Sequence, residues 1–263
     1  MNSLYKQEVS KHEKKDAIIA LCTYPIIAIF TIVQWVILQT FELAGFAILI
    51  TQLSLVVFTT GIVFTIVLTK KQKLSSIGLR KDNLRPALGM VLLIILIYFA
   101  IDMVPMLTSG WEFSSLGTMI PLLLLTFILA AWEDIYFVGY LQTRLYGLFK
   151  KDDSAIIVGA VLFALIHIPV GLHMDLGIII MIVYMVTLCF MHLKFVFIFR
   201  RGFSLIPVFI AHALTNAISS GEFWNGFNPD YDEPIMLAHY VLFLLLVIWE
   251  VVIWCRHKRK ERS

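Results

Sequence analysis

Apolar residues run along this chain in stretches of about 17–25, each long enough to cross a bilayer as a helix, with short charged segments between them. The pattern predicts eight spans, over residues 17–39, 43–69, 87–107, 117–146, 155–170, 176–197, 203–220 and 235–254. The expected fold class is all-α, a polytopic membrane helix bundle. Residues 1–16 form a charged N-terminal segment, 17–254 the integral membrane domain, and 255–263 a basic tail.

Charge orients the bundle. The chain has 21 Lys and Arg residues, and all fall on one side of the predicted topology. They precede span one, lie between spans two and three (Lys70 to Arg85), follow span four (Arg144, Lys150, Lys151), separate spans six and seven (Lys194, Arg200, Arg201), or follow span eight. The opposite loops hold Glu42, Glu112, Asp175, Glu222, Asp230, Asp232 and Glu233 with no base. The positive-inside rule then puts both termini in the cytoplasm of a multi-pass membrane protein, and short loops with an Ile/Lys/Phe-rich composition point to a bacterial membrane. The net charge of +3 is this loop bias; it implies attraction to anionic headgroups and no nucleic-acid binding.

Composition agrees with that reading and excludes others. Hydrophobic residues make up 60% of the chain, too many for a soluble fold of this length. Span one exceeds a signal-peptide core and no small-residue cleavage site follows it, so it is expected to remain as an anchor. Cys22, Cys189 and Cys255 are isolated, which argues against a disulfide framework or a thiolate metal site.

The chemistry lies in the second half. Span four carries Glu133 and Asp134, each costing about 2.5–3.5 kcal/mol if ionised against lipid, so both must face the bundle interior, a wet cavity or a partner. Span five carries Phe163 and His167, and span seven His212 and Asn216, each pair on one helix face by its i,i+4 spacing. At 1.5 Å per residue, Glu133, His167 and Asn216 lie about 20 Å from the basic side and His212 about 13 Å, so one layer could hold all four. Taken singly, the histidines and Asn216 read as interhelical hydrogen-bonding groups. Tyr136 and Tyr140 share the helical face of Glu133 and are expected either to line a site or to pack. Asp102 lies at similar depth, while His173, His192 and His239 fall near span ends, where solvated or interfacial roles are expected.

At these residues the chain resembles the CPBP family, also called Abi or CAAX proteases, which are intramembrane endopeptidases. That family carries Glu-Glu-x-x-x-Arg, then Phe-x-x-x-His, then His-x-x-x-Asn/Asp on successive core helices. Here these read Glu133 to Val138, Phe163 to His167 and His212 to Asn216, within a family-like core of about residues 117–220. Asp134 shortens the second carboxylate, and Val138 replaces the motif's Arg.

The resemblance implies a bundle of about eight helices that hydrolyses peptide bonds in small peptides or membrane-associated proteins. Glu133 and His167 would activate water, and His212 and Asn216 would stabilise the oxyanion, with Asp134, Phe163 and Tyr136 in support. A second version binds Zn²⁺ through Glu133, His167 and His212. The rival class is a catalytically inactive member that regulates or scaffolds a partner, or confers bacteriocin immunity; the missing Arg favours it. A proton-coupled transporter is a third class, but the chain has no matched repeat halves.

Overall fold

A computed structural model describes residues 3–41, 46–109, 112–173, 176–219, 224–225, 241, 245, 248–249, 252 and 255–256. Within these the chain is helical: α1 Ser3–Val9, α2 Lys14–Thr40, α3 Phe46–Thr69, α4 Arg85–Ser109, α5 Leu116–Glu133, α6 Gln142–Phe149, α7 Asp152–Leu165, α8 Ile168–His173, α9 Ile178–Gly202 and α10 Leu205–Ser219. A π-helical segment, Asp134–Leu141, joins α5 to α6 without a break, and a 3₁₀ turn spans Leu74–Ile77. Two-residue strands β1 (Glu112–Phe113) and β2 (Trp224–Asn225) pair antiparallel beyond α4 and α10.

Five described segments are long and apolar enough to cross a membrane: Lys14–Leu38, Ala47–Thr69, Leu116–Phe149, Asp152–Leu172 and Ile178–Gly202. Arg85–Ala100 and Leu205–Ala217 are shorter apolar helices at predicted spans three and seven. Predicted span eight falls mostly outside the described residues, as do Asp102, His173 and His239 for their side chains. The outward faces are apolar: Val57 is 72% and Ile178 80% exposed, an arrangement suited to lipid and not to water.

The helices break where local chemistry requires. Pro169 lacks an amide hydrogen and disfavours helical backbone before it, so α7 stops at Leu165 and leaves His167 in the turn ahead of α8. Asp152 and Asp153 sit in the first turn of α7, where carboxylates complement the helix dipole. Packing brings α10 onto α5 and α4, α2 onto α6, and α7 onto α9, around the π segment, which is buried along its whole length.

Gly139 lets that segment sit deep. A Cβ there would lie 2.6 Å from the carbonyl oxygen of Ile77 and 2.8 Å from Leu205 Cδ1. The backbone obstacle cannot swing aside, so Gly139→Ala is expected to destabilise the fold by about 1–3 kcal/mol. Thermal unfolding in detergent tests this, and an unchanged midpoint would show that the 3₁₀ turn yields.

One end of the bundle concentrates the charges. Asp16 at the start of α2 bonds Lys70 after α3 at 2.6 Å, and Arg200 near the end of α9 bonds Asp152 at 2.9 Å. Arg144 is only 1% exposed; it donates to Ser76 O at 3.0 Å and to Gln72 Oε1 at 2.7 Å, fastening α6 to the α3–α4 connection. Helix α1 packs against α6 and α9, with Tyr5 buried beside Phe199 and Phe203.

His12, between α1 and α2, is 4% exposed, and its Nε2 has no hydrogen-bond partner among the described residues. Burial, aided by the Arg144 charge and opposed by Asp16, pulls its pKa down to about 3. Below about pH 6.5 the unfolded chain binds a proton that the folded chain refuses. Stability is therefore complete above about pH 6.5 and falls by roughly 2 kcal/mol by pH 5. A His12→Gln protein, which carries no titrating ring, is expected to lose correspondingly less between pH 7.5 and 5; equal losses would remove His12 as the cause.

Two basic or imidazole residues depart from their expected places. Lys194 does not sit in a cytoplasmic loop: α9 continues to Gly202, and Lys194 is buried at 2% exposure, its Nζ 3.4 Å from Thr215 Oγ1 of α10. His192 is neither solvated nor interfacial. It is 0% exposed, stacked on Phe163 and 3.4 Å through Nε2 from Gln142 Oε1. α9 runs about a turn past the predicted end of span six at residue 197, which moves both residues from a span end into the packed bundle.

Candidate active site

Glu133 closes α5 and Asp134 opens the π segment, so the two carboxylates leave the backbone in different directions from adjacent positions. π-bulges recur at functional sites because the wider turn re-aims side chains that an α-helix would space evenly. Glu133 projects between two imidazoles: its Oε1 lies 3.8 Å from His167 Nε2 and its Oε2 3.9 Å from His212 Nε2. Asp134 points deeper, 1% exposed, with Oδ1 3.0 Å from His212 Nδ1.

Both imidazoles are held from behind. His167 Nδ1 lies 2.8 Å from the Phe163 carbonyl, which can only accept, so in the neutral ring Nδ1 carries the proton and Nε2 presents its lone pair toward Glu133. The Phe163 ring lies 4.7 Å from the His167 ring, so the Phe-x-x-x-His spacing serves through both backbone and ring. His212 is held by Asp134 on one side and by the Phe195 ring, 4.3 Å away, on the other.

A cavity of about 250 Å³ opens beside this cluster. Glu133, His167 and Asn216 line it, together with Thr31 and Trp35 of α2 and Gln52 of α3. Sequence reasoning missed this opposite wall. Its only signal was a polar scatter in spans one and two (Thr31, Gln34, Gln52), of which Gln34 ties the helices by donating to Thr51 O and Ser54 Oγ, both at 2.6 Å.

The four expected residues thus gather in one layer, but not equivalently. His212, 2% exposed, is not on the cavity wall; it stands behind Glu133. Tyr136 does not line the site either. Its hydroxyl lies 3.2 Å from Ala20 O and 3.3 Å from Thr23 Oγ1, against α2. Tyr140 turns to Arg144, whose guanidinium lies 4.9 Å above its ring. Positions i+3 and i+7 share a face only at about 3.6 residues per turn, and the π segment departs from that just after Glu133.

The donor types suit zinc: a carboxylate and two imidazoles, each imidazole anchored through Nδ1 as metal-bound histidines are. The spacing does not suit it. Ligands about 2.1 Å from a tetrahedral ion lie roughly 3.3 Å apart, whereas Glu133 stands 3.8 and 3.9 Å from its two partners. Among the described residues no group of three His, Cys, Asp or Glu is arranged to hold a metal.

Fold and site together define a polytopic helical membrane protein whose polar centre joins two carboxylates, two histidines and an asparagine on a cavity. Residues 115–218 match the sequence model of a family described as type II CAAX prenyl endopeptidase, Rce1-like. That match covers the segment bearing all three motifs, which is less than half of the chain, and the family it describes is generally one of proteases. No curated protein matches the chain.

Proposed function

We propose that this protein is an intramembrane endopeptidase with its basic side and both termini in the cytoplasm, hydrolysing peptide bonds in small peptides or membrane-associated proteins. One observation carries the reading: Glu133 and the His167 Nε2 lone pair face each other across 3.8 Å at the wall of a cavity. That gap is too long for a direct hydrogen bond and suits a bridging water, which can donate to both groups.

In the mechanism this supports, Glu133 accepts a proton from the water as its oxygen attacks the scissile carbonyl carbon. Asn216, on the same wall, donates its amide hydrogen to the oxyanion that develops. When the C–N bond breaks, Glu133 returns the proton to the leaving amine. His212 serves this chemistry from behind: held through Nδ1 by Asp134, it packs its Nε2 3.9 Å from the second oxygen of Glu133 and limits where that carboxylate can turn. The oxyanion role expected of His212 therefore passes to Asn216 alone. The mismatch in spacing gives no basis for routing a step through a metal.

A library of membrane-tethered peptides, read by mass spectrometry, tests the proposal with wild type beside His167→Ala. Cleavage is expected from wild type, reduced about 10²-fold or more in the variant and unchanged after removal of divalent ions by a chelator. Cleavage surviving in His167→Ala would break the assigned mechanism, and cleavage abolished by the chelator would move it to the zinc version. The rival reading, an inactive member that binds and regulates a partner, draws on Val138, where the family motif carries an Arg.

A further inference from the structure

The cavity beside Glu133 extends to one side of it only. Counted along their helices from the basic ends, Glu133, His167 and Asn216 lie about 20 Å in, and they belong to its innermost layer among the described residues. Gln52 on α3, Trp35 on α2 and Thr126 on α5 carry the lining about 5–10 Å further from the basic face. Toward the basic face the bundle is packed shut. Tyr136 sits there at 0% exposure, bonded to Ala20 O and Thr23 Oγ1 of α2, and Ile27, Val63 and Phe137 around it are each 0% exposed.

One group on the far wall lacks a partner. The Gln52 side chain is half-buried and makes no hydrogen bond among the described residues. An amide held inside a membrane bundle without a partner is costly, so on a cavity wall it is placed for a group that both donates and accepts. A peptide backbone offers that pair. In a helix its N–H and C=O are already bonded to one another, so only an extended segment has them to spare.

We infer that the substrate enters from the face opposite the basic residues, as an extended peptide segment whose backbone is taken by the Gln52 amide on its way to Glu133. With the basic face in the cytoplasm, the substrate class is a peptide on the far side of the membrane, or the outward-facing end or loop of a membrane protein. This deepens the protease reading and rests on it for the fate of the segment; the side on which the cavity opens is independent of cleavage.

Sidedness is tested in right-side-out and inverted membrane vesicles with a charged, membrane-impermeant maleimide. Labelled positions are read by mass spectrometry of the digested protein, so the native cysteines stay in place. Lys81→Cys, exposed between α3 and α4, marks the basic face. Thr126→Cys, on the cavity wall, is expected to label only in the vesicles where Lys81→Cys does not. Labelling of both positions from the same side, labelling of Thr126→Cys from both sides, or its failure to react with the charged reagent overturns entry from the opposite face. For a library peptide that wild type cleaves, Gln52→Leu is expected to raise KM about 5–10-fold with kcat within about twofold. Its Tm is expected to equal or exceed that of wild type, because an unpaired amide has left the bundle. An unchanged KM, or a raised KM beside a lowered Tm, overturns the role of Gln52. A wild type that cleaves nothing defeats the protease reading, and the labelling pattern still decides on which side the cavity opens.

Discussion

Glu133→Gln is expected to lower peptide cleavage by about 10³-fold while leaving the protein folded. Glutamine has nearly the same shape and keeps one carbonyl oxygen, so the contacts of the cavity wall survive, but its amide cannot accept the proton of an attacking water. The neighbours offer no substitute base: His212 is buried behind the site, and Asp134 is turned away toward His212 and 1% exposed. His167 keeps its Nε2 lone pair and could still orient a water, which is why a residue of activity is expected rather than none. The measurement is initial cleavage rate at matched Tm. A Glu133→Gln protein that cuts as fast as wild type would remove Glu133 as the base and with it the proposed mechanism. In the regulator reading the same variant is expected to leave partner binding intact.

Asp134→Leu is expected to have the largest effect on stability, a loss of about 3–5 kcal/mol. Leucine has the same branching but bulkier methyl ends, so the loss combines overpacking with removal of the charge. Asp134 Oδ1 meets His212 Nδ1 at 3.0 Å, so its removal leaves that buried nitrogen without its partner. In a membrane bundle the ring cannot turn to bulk water without pulling α10 from its packing. Thermal unfolding of the purified protein in detergent provides the check. An unchanged midpoint would mean that water or lipid headgroups reach this layer, contrary to its burial.

How much of the site was legible can be judged residue by residue. Glu133, His167, His212 and Asn216 were placed in one layer by counting residues from the charged ends, and three of the four line one cavity. Depth is a one-dimensional quantity, and a chain threaded through a bilayer preserves it. The direction of a side chain around its helix is not preserved in this way. Tyr136, expected either to line the site or to pack, packs against α2, because the backbone after Glu133 widens from α to π. His212 was expected at the oxyanion and stands behind the base, because α10 faces both α5 and the π segment.

The two buried residues of α9 mark the same limit. His192 and Lys194 lie two positions apart, so on a helix they point to different neighbours: one stacks on Phe163 of α7, the other reaches Thr215 of α10. Their hydrophilicity pulled the sequence reading toward a loop. Only knowledge that α7 and α10 flank this stretch turns them into interior groups.

The sequence by itself determined that the chain is an all-helical membrane protein, which helices carry the polar residues and how deep those residues lie. Hydrocarbon enforces these features locally: every peptide group must bond within its own helix, and every charge must keep its distance from lipid. Tertiary structure alone decided which faces meet. It brought α2 and α3 round as the far wall of the cavity, re-aimed the carboxylates through the π segment, and buried Lys194 against Thr215. Those choices depend on packing between helices far apart in the chain, where no local periodicity records the partner.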